Sequence, residues 1–181
     1  TISKSDPLDE RLLEEICLGL DLEFVQKDGM LRLLANGRDI TEEIREPEIS
    51  SLASAVSAKG VVREQLSMIQ RNMGRTGGVV LEGRDMGTVV FPDAEVKFFL
   101  DASPEIRSKR RFLELEAKGE NTTPEEVHQL MLERDSDDRS RQLAPLKPAL
   151  DAIIVNSSEL QIEEVVRLML DHIEAKRTVQ K

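Results

Sequence analysis

The chain's strongest chemical signals are arginines and carboxylates at close spacing in its second half. Arg134, Asp138 and Arg141 stand at i, i+4 and i+7, which on one helix turns all three to one face. Two guanidiniums flanking a carboxylate make a fork for phosphate oxygens and an acceptor for a sugar hydroxyl. The same spacing also fits a surface ion pair with a spare arginine, worth about 0.3–0.5 kcal/mol. Arg107, Lys109, Arg110 and Arg111 crowd four cations into five positions just upstream. Glu105 and Glu114 offset only part of that repulsion, and a bound polyphosphate would relieve the rest. A solvated basic face is the alternative. Arg84-Asp85 follows an apolar run, where a strand's carboxyl end would line a ligand crevice. There Asp85 can accept from a base amino group while Arg84 clamps a phosphate. A turn aspartate with a local arginine, set between Gly83 and Gly87, is the competing reading.

The elements that must carry these groups are α/β in type. Gly78–Leu81, Val96–Leu100 and Ala152–Val155 are short apolar runs without polar alternation, as expected of parallel strands covered on both faces. Helices are predicted over about Pro104–Lys118, Pro124–Gln142 and Gln161–Lys176. Ser103-Pro104 and Thr123-Pro124 supply caps, and Thr123 with Glu126 forms a capping-box pattern. The first half reads as a smaller α+β unit. A helix starts at Asp6-Pro7 and runs to Leu18. Strands Leu22–Val25 and Met30–Leu34 turn at Lys27-Asp28-Gly29, and Arg38–Thr41 adds a third after Asn36-Gly37. Two helices follow, about Glu46–Ala58 and Val61–Asn72, separated by Gly60.

Composition narrows the partners. With 39% apolar and 33% charged residues the chain is globular, and its apolar runs are too short to span a membrane. Nothing near Thr1 has the apolar core of a signal peptide. The net charge of −10 argues against a general nucleic-acid or anionic-membrane binder. Yet Arg107, Arg110, Arg111, Arg134, Arg139 and Arg141 fall in one 35-residue window, which suits a small polyanion. Cys17, alone of its kind, lies in an apolar helical flank and reads as a core thiol of a reducing compartment. His128 and His172 lack metal-ligand spacing and read as surface residues.

Together these pieces resemble the bacterial cytidylate kinases of the P-loop nucleoside monophosphate kinase group. The carrying stretches are EGRDMGTVVFPDAEVKFFLDAS, RSKRRFLELEAKG and ERDSDDRSRQLAPLKPALDAIIVNSS, with NGRDITEEIREPEISSLASAVSAKGVVREQL upstream. The resemblance covers nearly the whole chain, in the family's order. It implies phosphoryl transfer from ATP, with Mg2+, to CMP or dCMP. Ser54, Arg63 and Asp85 then match positions that hydrogen-bond the cytosine ring, although by spacing alone Ser54 and Arg63 carry no signal. Arg84, Arg134 and Arg141 match arginines on the nucleotide phosphates, Asp138 matches the acceptor-sugar position, and Arg110 and Arg111 match lid arginines over ATP. The implied organisation is a partial CMP-binding subdomain over 1–72 and a core over 73–181, with a short lid within about 107–141. A cytoplasmic monomer without nucleic-acid or membrane partners is expected.

The family also opens with a strand, a G-x-x-x-x-G-K-[ST] phosphate loop and its helix, and these motifs do not occur among the 181 residues. An incomplete sheet is therefore expected, split where the family's central strand would lie. The intact protein is expected to be a kinase and the 181-residue chain alone inactive. The residues themselves leave two rivals: a non-catalytic nucleotide-binding module, and a related kinase for another small acceptor. Ser136-Asp137, Gly60 and Asn156 depart from the family's usual residues.

Overall fold

A computed structural model describes residues 9–179, apart from the side chains at 47, 48, 50, 51, 54 and 179. The chain divides into two compact units, Thr1–Val80 and Leu81–Lys181. The division at 80/81 lies eight residues beyond the 72/73 boundary expected from the sequence.

In the first unit, helix α1 (Glu10–Leu18) begins where the Asp9 carboxylate accepts from the amides of Arg11 and Leu12, at 2.9 and 3.3 Å. The expected start at Asp6-Pro7 lies outside the described residues. Leu13 and Cys17, one turn apart, pack on Val62 with Val56, Val61 and Leu66 around them. Burial pushes the Cys17 thiol up from its ordinary value. The folded protein is therefore expected to react slowly with a thiol reagent at mildly alkaline pH and quickly once urea opens the core. Equal rates in both states would show that Cys17 is not held in this cluster.

Strands β1 (Leu22–Lys27), β2 (Met30–Ala35) and β3 (Arg38–Asp39) form an antiparallel meander. Lys27 pairs with Met30 and Ala35 with Arg38, so each loop has two residues. Asp28-Gly29 and Asn36-Gly37 have φ of 53° and 74°, and 50° and 78°, the left-handed pairs that such hairpin turns require. β3 stops before Thr41 because the Thr41 hydroxyl, at 2.9 Å, takes the Leu33 amide that a ladder carbonyl would accept. After a short 3-10 turn come α2 (Pro47–Ser57) and α3 (Gly60–Gly74). The break falls at Ala58-Lys59, not at Gly60: Lys59 is extended (ψ 130°) and Gly60 is the first residue of α3.

Gly78–Leu81, expected as a strand, pairs with no strand among the described residues, and Val80 is fully exposed. Apolar content made it a candidate, but a strand exists only through a hydrogen-bonded neighbour.

The second unit holds a parallel pair, β4 (Phe98–Asp101) and β5 (Ile153–Asn156), in register Phe98↔Ile153 to Asp101↔Asn156. Three parallel strands were expected and two are described. α4 (Pro104–Ala117) starts at Ser103, whose hydroxyl accepts from the Ile106 amide. α5 (Pro124–Ser140) starts in a complete capping box, with the Glu126 amide donating to the Thr123 hydroxyl and the Thr123 amide donating to the Glu126 carboxylate. α6 (Ile162–Val179) completes the unit. α4 and α5 are tied by Arg107–Asp135 at 2.6 Å and by Ser108 to His128 Nδ1 at 2.9 Å. His128 is thus a half-buried seam residue and not a surface one. His172 is exposed and meets Phe98 edge-on. No helix among the described residues is long and apolar enough to cross a membrane.

Candidate functional site

Asp138 on α5 is only 2% exposed, and three guanidiniums converge on it. Arg84 donates through Nε to Oδ2 at 3.0 Å, Arg141 approaches Oδ1 at 2.6 Å, and Arg134 Nε stands 4.0 Å from Oδ2. Arg134 reaches the carboxylate along the helix face. Arg141 does so differently. α5, expected to run to Gln142, ends at Ser140, and Arg141 is extended (ψ 135°) and reaches back. The Leu146 amide donates to the Asp138 carbonyl at 2.7 Å, which folds the following loop onto the helix end.

Three guanidiniums share this carboxylate, and their crowding is felt at Arg134. Burial pushes its guanidinium down from the ordinary value, Arg84 pushes it further, Asp138 opposes, and Arg141 and Arg111 add to the fall. Arg111 therefore contributes to the same positive field, although its own nearest acid is Glu114 at 2.8 Å. Arg84 and Arg134 leave nearly half of their side chains open to solvent, at 47% and 45%, while Arg141 leaves 12%. Such an arrangement attracts an anion with several oxygens.

Arg84 leads directly into a single π-helical turn, Met86–Val90, which was not foreseen. The Asp85 carbonyl accepts from the amides of Thr88, Val89 and Val90, and the Phe91 amide donates to Met86 at 2.7 Å, an i to i+5 bond. Asp85, itself buried, begins this turn. The glycines beside it were the available signal. A Cβ on Gly83 would stand 2.9 Å from Met86 side-chain carbons, and one on Gly87 would stand 3.2 Å from Lys97 Cδ.

Other sequence candidates separate. Arg110 does not join the cluster: it donates to the Ser157 hydroxyl at 3.0 Å and to the Ser157 carbonyl at 2.6 Å. Arg107 serves the α4–α5 seam, donating also to the Ala102 carbonyl. In the first unit, Arg63 on α3 donates to the Ser57 carbonyl at 3.0 Å. The Ser54 side chain lies outside the described residues.

Residues 2–175 match the family described as Cytidylate kinase. The chain belongs to the cytidylate kinase family. Among its curated relatives, the cytidylate kinase of Geobacter sp. (strain M21) is 54% identical over 161 residues, 89% of this chain and 69% of the relative. That of Geobacter sulfurreducens is 50% identical over 163 residues, 90% and 70% of the two chains. Cytidylate kinase 1 of Haemophilus influenzae is 42% identical over 171 residues, 94% and 74%. The parallel β4–β5 pair with its helices accords with the P-loop nucleoside monophosphate kinase fold of the cytidylate kinase family.

For a member of the cytidylate kinase family, the chemistry open to this cluster is electrostatic. Guanidiniums have no proton to give at neutral pH and act by position and charge. Among the described residues no group of three or more His, Cys, Asp or Glu side chains could hold a metal ion.

Proposed function

We propose that the intact protein transfers the γ-phosphoryl group of ATP to CMP or dCMP, giving CDP or dCDP. The observation that supports this most is the gathering of Arg84, Arg134 and Arg141 on one buried carboxylate, with Arg111 adding to their field. Transfer between two anionic phosphates asks little covalent work of side chains; it needs positive charge aimed at the migrating group and exclusion of water. Arg84, Arg134 and Arg141 hold the acceptor phosphate and neutralise charge as the bond to the leaving ADP oxygen breaks. As phosphate draws the guanidiniums away, Asp138 is freed to accept from a sugar hydroxyl. Mg2+ enters with ATP as part of the substrate and supplies charge neutralisation there. Arg110 and Arg111 face the donor in this reading, for which Arg110 must exchange its contacts with Ser157. A mobile arginine-bearing lid closes only when anions are present.

Base choice is assigned to Asp85, with Ser54 and Arg63. A carboxylate accepts from the exocyclic amino group of cytosine but meets a carbonyl lone pair in uracil, a mismatch of about 1–3 kcal/mol. In the full-length protein, Asp85→Asn is expected to narrow the preference for CMP over UMP by about 10-fold or more. The measurement is kcat/KM for each nucleotide at saturating ATP. Equal selectivity before and after the change would remove Asp85 from base recognition.

A further inference from the structure

Lys97 is a lysine whose side chain is only 7% exposed, and the arginine cluster does not use it. It lies just before β4, and its own carbonyl accepts the Ile153 amide at 2.9 Å, which stitches its backbone to β5. Its ammonium donates to both oxygens of Asp151, at 2.9 and 2.8 Å, and to the Pro92 carbonyl. That is the full complement of three acceptors that a buried ammonium requires. Its aliphatic stem lies against the π-turn. A Cβ on Gly87 would be 3.2 Å from Lys97 Cδ, 3.5 Å from Cγ and 3.7 Å from the Ala149 methyl.

These contacts join three places. Asp151 belongs to the lead-in to β5, Pro92 to the exit from the turn, and Gly87 to the turn's middle. The hydrogen bonds on the Asp85 and Met86 carbonyls fix the shape of the turn, but both ends of each lie within residues 85–91, so they cannot fix its place. Lys97 can, because it holds the turn against β5. A leucine or methionine would fill the same space without losing hydration; what the lysine adds is direction, through one bond to Pro92 and two to Asp151. The pull is mutual: hydrogen bonding from Lys97 holds the Asp151 carboxyl below its usual range.

We infer that Lys97 and Asp151 are positioning residues, a pin that sets the π-turn against β5 and thereby fixes Arg84 and Asp85 at its start. The pin acts on the acceptor nucleotide and not on ATP. In its effect on base choice it rests on the role proposed for Asp85, and a small displacement of such a group is costly. Misplacing a reacting or recognising group by about 1 Å can cost on the order of 100-fold.

The test compares the full-length wild type with Lys97→Met, Asp151→Asn and Gly87→Ala, measuring KM for CMP, UMP and ATP together with the melting temperature. Each variant is expected to lower the CMP-over-UMP ratio of kcat/KM by about 10-fold. The loss should come mainly through KM for CMP, with KM for ATP changed less than about twofold. A staple that merely stabilises the fold would lower the melting temperature and leave the ratio and the CMP/ATP split where they were. That result would overturn the proposal. Should Lys97→Met fail to fold, Asp151→Asn, which keeps an amide oxygen to accept from Lys97 at a side chain that is 61% exposed, and Gly87→Ala, which leaves the ion pair intact, decide together. A wild type without any CMP preference would instead count against the Asp85 reading. The pin is then judged by the selective rise in KM for the acceptor, and its absence would sink it.

Discussion

A polypeptide of these 181 residues alone is expected to form no measurable ADP in response to CMP. In the proposed reading the acceptor phosphate is well supplied with charge, through Arg84, Arg134 and Arg141 around Asp138, and the donor is not. In P-loop kinases the β- and γ-phosphates are held by backbone amides and a lysine in the G-x-x-x-x-G-K-[ST] loop. One pair of glycines here has that spacing, Gly78 and Gly83, but Arg84-Asp85 follows where lysine and a hydroxyl residue would be needed. In the proposed reading Arg84 is taken up by the acceptor phosphate, together with Arg134 and Arg141 beside Asp138, and so does not replace the lysine on the donor. Each well-placed cation on a migrating phosphoryl group is worth on the order of 10³-fold or more in rate. A coupled assay of the polypeptide at saturating CMP and ATP, beside the full-length protein, checks this. CMP-dependent ADP formation by the 181 residues would show that some other group holds ATP. Tight CMP binding without turnover in the full-length protein would instead favour a nucleotide sensor over a kinase.

The features that could be read in the sequence are those whose partners are close along the chain. The capping box at Thr123, the cap at Ser103 and both hairpin turns depend on residues within four positions, and all are present. Gly78–Leu81 was misread because apolar content signals burial, whereas a strand depends on a neighbour that the run itself does not specify. The π-turn has an i to i+5 bond and no repeating period, so only Gly83 and Gly87 hinted at a close approach. The same division holds within the site. Arg134 and Asp138 were legible as an i, i+4 pair. Arg84, 54 residues from Asp138, was not legible by spacing, and neither was Lys97, equally far from Asp151. Arg110 and Arg111 looked alike by composition, yet adjacent helix positions point about 100° apart. One accordingly faces Ser157 while the other adds to the field at Arg134.

That field makes Asp138→Asn the substitution with the largest expected effect on stability. Asp138 is buried, the Arg141 side chain is only 12% exposed, and the two are 2.6 Å apart, so removing the charge takes the adjoining carboxylate from a guanidinium with little water. Breaking one partner of such a pair costs about 3–5 kcal/mol. Arg84 adds less, because nearly half of it meets solvent, where a lost ion pair costs about 0.2–1 kcal/mol. Arg134, at 4.0 Å, adds little by direct contact. The buried pair therefore sets the scale, and a loss near 3 kcal/mol is expected from urea unfolding. The sign of the phosphate effect is the sharper check. In the wild type an incoming phosphate must compete with the Asp138 carboxylate for the guanidiniums. In the variant that carboxylate no longer competes with it for the three guanidiniums. Inorganic phosphate is therefore expected to raise the unfolding midpoint more in Asp138→Asn than in the wild type, since a ligand that binds only the folded state stabilises it by mass action. A variant as stable as the wild type would show that Asp138 is not the counter-charge holding these arginines together. A destabilised variant that phosphate does not help would show that the arginines, once released, no longer share one anion site.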